Sequence, residues 1–274
     1  MRFSFLTTLA TLLLGASLPA AESVDIEFDN FSGNQTGTLQ DLGPYYQSSV
    51  MKFTNVASVG NVSVDLRVTA SAWGTYAFTG HLPDYSQNSA QPNGDLGLYY
   101  TATSYGSGGL HYTLEFFKGG TNFSTTFTVS QFDLLIYDVD GEARQTEAFR
   151  AYLSDGLTSY RLADSPNSVS ASYFTNGVLF SGPGYNIAET DPSAAAILTY
   201  NNTNKITLDF ESKTTGGSLP NGIFTAIDGD LSLLKGDTSD FGTPVAVPEP
   251  SGLVFIAAAG MVLVLRRKRR ATAD

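Results

Sequence analysis

The chain has 274 residues, no cysteine and a formal charge of −11. Without cysteine there is no thiol catalysis, Cys-ligated zinc, haem attachment or disulfide. Acids outnumber Lys and Arg by 26 to 15, and this balance disfavours nucleic acid as a partner, since phosphate neutralisation needs Lys and Arg in excess.

The first 21 residues carry Arg2, an apolar run over residues 3–14 and small residues at Ala20 and Ala21. A charged start, an apolar stretch and a small-residue cleavage site predict a helical secretory signal peptide, cut after Ala20 or Ala21. Without Arg2 and the five C-terminal cations, the exported part has nine cations against 25 acids. That excess keeps a secreted protein dispersed. It is compatible with divalent cations or neutral glycans as partners.

Residues 22–236 read as strands throughout. Val24, Ile26 and Phe28 alternate with acids; Val62, Val64, Leu66 and Val68 alternate with polar residues. Leu110, Tyr112, Leu114 and Phe116 repeat the pattern, as do Ile206, Leu208 and Phe210. A period of two marks a strand with one buried face. Turn dipeptides separate the runs: Asn93-Gly94, Asp140-Gly141, Asp155-Gly156, Asn176-Gly177, Asn221-Gly222 and Asp228-Gly229. Residues 148–153 and 157–162, joined by Ser154-Asp155-Gly156, predict a hairpin, and residues 80–109 predict long loops. Apart from one turn at 192–196, no apolar pattern has helical period. About twelve short strands without helices predict an all-β, antiparallel two-sheet sandwich, jelly-roll-like.

The stretch from Phe132 to Glu142 ends in Asp138, Asp140 and Glu142, spaced i, i+2, i+4, with Gly141 permitting a tight turn. Calcium takes six to eight oxygens, several from carboxylates. An EF-hand does not fit, because glycine falls at the fourth position and Phe149 stands where the bidentate Glu belongs. Two readings stay open: a strand-edge Ca2+ site completed by Asp228 and Asp230, or a solvated Asp-Gly turn. His81, in a predicted loop, and His111, on the surface face of a strand, lie in no zinc or nucleophile motif. Glycoside hydrolysis needs only two suitably spaced acids, and nothing singles out two of the 25. Tyr76, Tyr85, Tyr100 and Tyr105 are candidate glycan contacts, since flat rings take sugar C–H faces. For Trp73 and Tyr99 the core is the expected place.

The end of the chain has its own organisation. Residues 237–247 are small, polar and proline-containing and read as a linker. Pro248-Glu249-Pro250 follows, then an uncharged apolar run over 252–265, then Arg266, Arg267, Lys268, Arg269 and Arg270. The prolines keep Glu249 on extended backbone. The cations match a cytoplasmic stop. A helix of 14 residues spans about 21 Å against a hydrocarbon core of ~30 Å, a mismatch that snorkelling and local thinning can absorb.

The tripeptide, apolar run and basic cluster, in this order, resemble the PEP-CTERM sorting signal of Gram-negative, exopolysaccharide-producing bacteria. The resemblance covers about a tenth of the chain. It implies a membrane-embedded exosortase as partner, processing near Pro248-Glu249-Pro250, transient anchoring by the C-terminal helix, and delivery to the cell surface or matrix. Residues 132–140 also loosely resemble a strand common in exported sandwich domains bearing this signal. The resulting expectation is an exported, non-catalytic sandwich that binds glycan or another envelope component. The alternatives are a purely structural matrix protein and a glycan-active enzyme.

Overall fold

The computed structural model describes residues 23–36, 45–85, 95–142, 144–166, 168–188, 191–216, 223–229, 231 and 238–248, without the side chains of 84 and 85. The expected signal peptide, Glu249, Pro250, the apolar run and the basic cluster lie outside these residues. Among the described residues no helix is long and apolar enough to cross a membrane.

Two antiparallel sheets form a sandwich. The larger runs β1 (Val50–Val59), β2 (Val62–Gly74), β5 (Gly106–Lys118), β13 (Lys205–Thr214), β8 (Gln145–Tyr152), β11 (Gly177–Ser181) and β10 (Ser170–Phe174), with the short β7 (Gly141–Glu142) on β8. The smaller runs β15 (Val245–Ala246), β9 (Leu157–Leu162), β12 (Ala196–Thr203), β6 (Val129–Tyr137), β14 (Ile223–Asp228), β4 (Asp95–Ala102) and β3 (Tyr76–Tyr85).

The alternating runs bury one face each. Leu110, Tyr112, Leu114 and Phe116 of β5 and Ile206, Leu208 and Phe210 of β13 all enter the main core. Aromatic pairs bridge the sheets: Phe116 meets Phe132 edge-on at 5.2 Å, and Tyr160 meets Phe180 at 5.2 Å. Such pairs add roughly 0.5–1.5 kcal/mol each beyond area burial. On β6, Leu134, Leu135, Ile136 and Tyr137 are all fully buried, so this strand is covered on both faces. Its outward residues Leu135 and Tyr137 join Ile197, Ala226 and Phe241 in a second, smaller cluster.

Three expectations change. Residues 148–153 and 157–162 are not a hairpin: β8 belongs to the larger sheet and β9 to the smaller. A 3₁₀ turn at Leu153–Asp155, closed by Gly156 with φ 87, carries the chain across the sandwich. The described part of residues 80–109 is largely strand, supplying much of β3, all of β4 and the start of β5. The expected linker is docked over its described part. Phe241 is 6% exposed and bridges to Ala163, and β15 pairs with β9. By contrast, Asn176-Gly177 does close a tight reversal, with Phe174 opposite Gly177.

Candidate functional site

Within the acidic stretch, Asp140 is an interior structural group. Asp140 is 6% exposed, and its carboxylate accepts the backbone N–H groups of Gly141 and Ile187. Burial raises its pKa, opposed by those two amides. Asp138 sits at φ 59, a left-handed conformation that redirects the chain, and Glu142 points to solvent. Asp228 is buried at the end of β14, and Asp230 lies outside the described residues. Among the described residues no three His, Asp or Glu side chains converge as metal ligands. The predicted calcium site at Asp138, Asp140, Glu142 and Asp228 is therefore not assembled by them. The solvated-turn reading fails at Asp140 too, since that side chain is inside.

Behind Asp140 lies a buried polar cluster that the sequence reading missed. Glu147 is 8% exposed and accepts a hydrogen bond from Gln145, itself 6% exposed. Burial, then the nearby Asp140 charge, pushes the Glu147 carboxyl up to about 8. Across the register Ser212 faces Glu147 and Thr214 faces Gln145. The Tyr76 hydroxyl lies 3.0 Å from Ser212 Oγ and 2.9 Å from Thr214 Oγ1. Tyr76 and Tyr100 are thus interior side chains, at 5% and 2% exposure, and are withdrawn as glycan contacts. Tyr99 is buried, as expected. Tyr105 is 54% exposed between β4 and β5, while the Tyr85 side chain lies outside the described residues. The alternation Gln145, Glu147, Phe149, Ala151 was the available signal, because Phe149 and Ala151 fix the inward face.

His81 is not in a loop. It lies on β3, fully buried, with Nδ1 3.0 Å from the Tyr112 hydroxyl. Burial lowers its pKa to about 3, so the ring is neutral.

His111 does face solvent, and around it the outer face of the larger sheet gathers reactive side chains in register. Ser71, His111, Asp209 and Arg150 stand in one row across β2, β5, β13 and β8. His111 Nδ1 is 2.7 Å from Asp209 Oδ1, and the Tyr152 hydroxyl donates to Asp209 Oδ2. Trp73 is half-buried and stacks on His111, with ring centroids 5.9 Å apart and an interplanar angle of 25°. Its indole N–H has no partner among the described residues, so stacking and packing hold the ring. Arg150 pairs with Glu211 and lies over the Phe174 ring at 5.8 Å.

The next row places Gly109 between Trp73 and Glu211. A Cβ at residue 109 would come within 1.8 Å of the Phe210 carbonyl oxygen, so only glycine fits. Gly109 is itself buried, so the strip between Trp73 and Glu211 is closed over by its neighbours. The result is a half-buried aromatic ring and a carboxylate in one row, with the solvent-facing His111 and its Asp209–Tyr152 partners beside them.

Ser71, His111 and Asp209 have the residue types of a hydrolytic triad, but no hydrogen bond joins Ser71 to His111. The surrounding backbone amides are committed to ladders on both sides, leaving no oxyanion donors. The arrangement suits holding a flat, hydroxyl-rich molecule.

The described chain is thus an all-β protein of the two-sheet sandwich class. No protein-family model and no curated protein matches it. Among solved structures it is similar to the N-terminal domain of the Streptococcus gordonii adhesin Sgo0707, at 12% identity and TM-score 0.42, covering 66% of this chain and 46% of that one. It is also similar to the adhesin domain of PrgB from Enterococcus faecalis, at 10% identity and TM-score 0.42, covering 73% and 72%. The chain therefore spans less than half of the first neighbour's length. Both are resemblances of strand arrangement alone.

Proposed function

We propose that this is an exported, surface- or matrix-sorted, non-catalytic protein that binds neutral glycan on the outer face of its larger sheet. The observation that carries the binding reading is the placement of half-buried Trp73 and Glu211 in one row beside His111 on the outer face. A sugar ring offers C–H groups to the indole face and hydroxyls to Glu211, Arg150 and His111. His111 hydrogen-bonds Asp209 and Arg150 pairs with Glu211, so these polar groups are already partnered and suit an uncharged, hydroxyl-rich ligand. Export and sorting are supported by the signal-peptide pattern of residues 1–21, by Pro248-Glu249-Pro250 and by the basic cluster at 266–270. An exosortase cuts one peptide bond near the tripeptide. The acyl carbon passes to water or an acceptor amine, and the new amine leaves with the tail.

A jelly-roll winding suits this role. The orders β4-β14-β6-β12 in one sheet and β5-β13-β8-β11 in the other support it, with β9 and β10 inserted between β8 and β11.

The test is a glycan array probed with wild type and Trp73→Ala. Wild type is expected to bind a subset of neutral glycans, and the variant to lose at least about tenfold in affinity, or ~1.4 kcal/mol, with an unchanged circular dichroism spectrum. Equal binding by the variant removes this face from the account. An array with no bound glycan leaves the structural-matrix alternative.

A further inference from the structure

The last described residues are fastened to the sandwich up to the edge of the sorting motif. Phe241 packs with Leu135, Ile197 and Ala226 on the outside of the smaller sheet, and Gly242 N donates to the Leu162 carbonyl at 2.8 Å. Val245 stands opposite Tyr160 and Ala246 opposite Ser159. Val247 N donates to the Thr158 carbonyl at 2.9 Å, and its side chain is 8% exposed. Pro248 comes next. No free spacer separates the docked strand from Pro248-Glu249-Pro250.

Two consequences follow from this geometry. Five residue steps from Val247 reach Gly252, at most about 17 Å of extended chain. While β15 is paired, the body is therefore tethered close to the point where the apolar run begins. An enzyme that cuts a peptide bond takes its substrate as an extended strand, with residues on both sides of the bond in its cleft. The residues on the N-terminal side of Pro248 are already engaged as a strand on β9. They cannot occupy both places.

We propose that β15 is a strap: paired to β9 it withholds the residues before Pro248 from the processing enzyme, and it peels off before the tail is cut. This rests on the sorting reading above. The strap is suited to opening, because β15 has only two residues, both exposed, on the edge of the sheet. Phe241 limits how far the opening spreads. Processing is thereby coupled to the folded body, since a chain whose β9 has not formed has nothing to hold the strap.

The experiment uses the full chain, with a tag at its mature N-terminus, in membranes that carry the processing enzyme. The protein has no cysteine, so Ser159→Cys with Ala246→Cys introduces a single disulfide between two residues already opposite each other. Immunoblots follow tail removal with and without reductant. The oxidised double variant is expected to lose its tail about tenfold more slowly than wild type, to recover on reduction, and to differ from both single-cysteine controls. Phe241→Ala, seven residues upstream of the motif, is expected to lose its tail faster. If the oxidised variant is processed at the wild-type rate, the strap is wrong and the sorting reading stands. If wild type keeps its tail, indistinguishable from a Pro248→Ala, Glu249→Ala, Pro250→Ala variant, the sorting reading fails and the strap with it.

Discussion

Glu147 faces inward from β8 because Phe149 and Ala151, two and four residues on, must, and its carboxyl is held protonated at neutral pH. Its folded pKa of about 8 lies above the ordinary 4.5, so its contribution to stability is full below pH 4.5 and is lost as pH rises towards 8. His81 acts in the opposite sense. Its folded pKa of about 3 lies below 6.5, so stability is full above pH 6.5 and is lost as pH falls. Each changes stability by about 1.4 kcal/mol per pH unit inside its window. Between pH 4.5 and 6.5 the two slopes oppose each other, and thermal melting should show a broad maximum there. Above 6.5 only Glu147 remains, so the melting temperature should fall towards pH 8, and Glu147→Gln should flatten that fall. A wild-type melting temperature that rises from pH 6.5 to 8 would contradict the assignment. At this scale burial was legible only where neighbours fixed a face. Tyr76 and Tyr100 read as exposed rings because their surroundings are rich in Gly, Ser and Asn, yet both lie in strands. Trp73, read as core, sits on the outer face because the register sets it beside Gly109.

Strands were legible as elements, and their partners were not. A period of two records which residues are buried but not which strand lies alongside. Hence β8 and β9 looked like a hairpin: each has apolar residues at strand spacing, with Asp155-Gly156 between them. The 3₁₀ turn sends β9 to the other sheet, where it pairs with β12 rather than β8. The segment 238–248 was misread for a different reason. It is short and rich in small residues and proline, and its anchors, Phe241 and Val247, fill sites made by strands distant in sequence. Docking of this segment predicts a measurable loss on truncation. A chain ending at 236 should be less stable in urea than one ending at 248 by roughly 3–5 kcal/mol, the range for removing a buried Phe. Equal midpoints and slopes would mean that 238–248 adds nothing to the fold.

For the whole molecule, the all-β class followed from alternating runs and missing helical periods, because a sandwich needs only one buried face per strand. The outer-face group was invisible in the sequence, since it joins residues 73, 111, 150 and 211 through three ladders. No local motif encodes it. Trp73 is the single tryptophan of the protein, so its fluorescence reports on this outer face alone. The most direct measurement is a fluorescence titration of the intact protein with a neutral oligosaccharide that it binds, run beside calorimetry of the same pair. The account predicts a saturable change in Trp73 emission with the calorimetric Kd, lost in a Glu211→Ala variant that melts like wild type. Saturable heat with unchanged Trp73 emission would place the ligand elsewhere and contradict it.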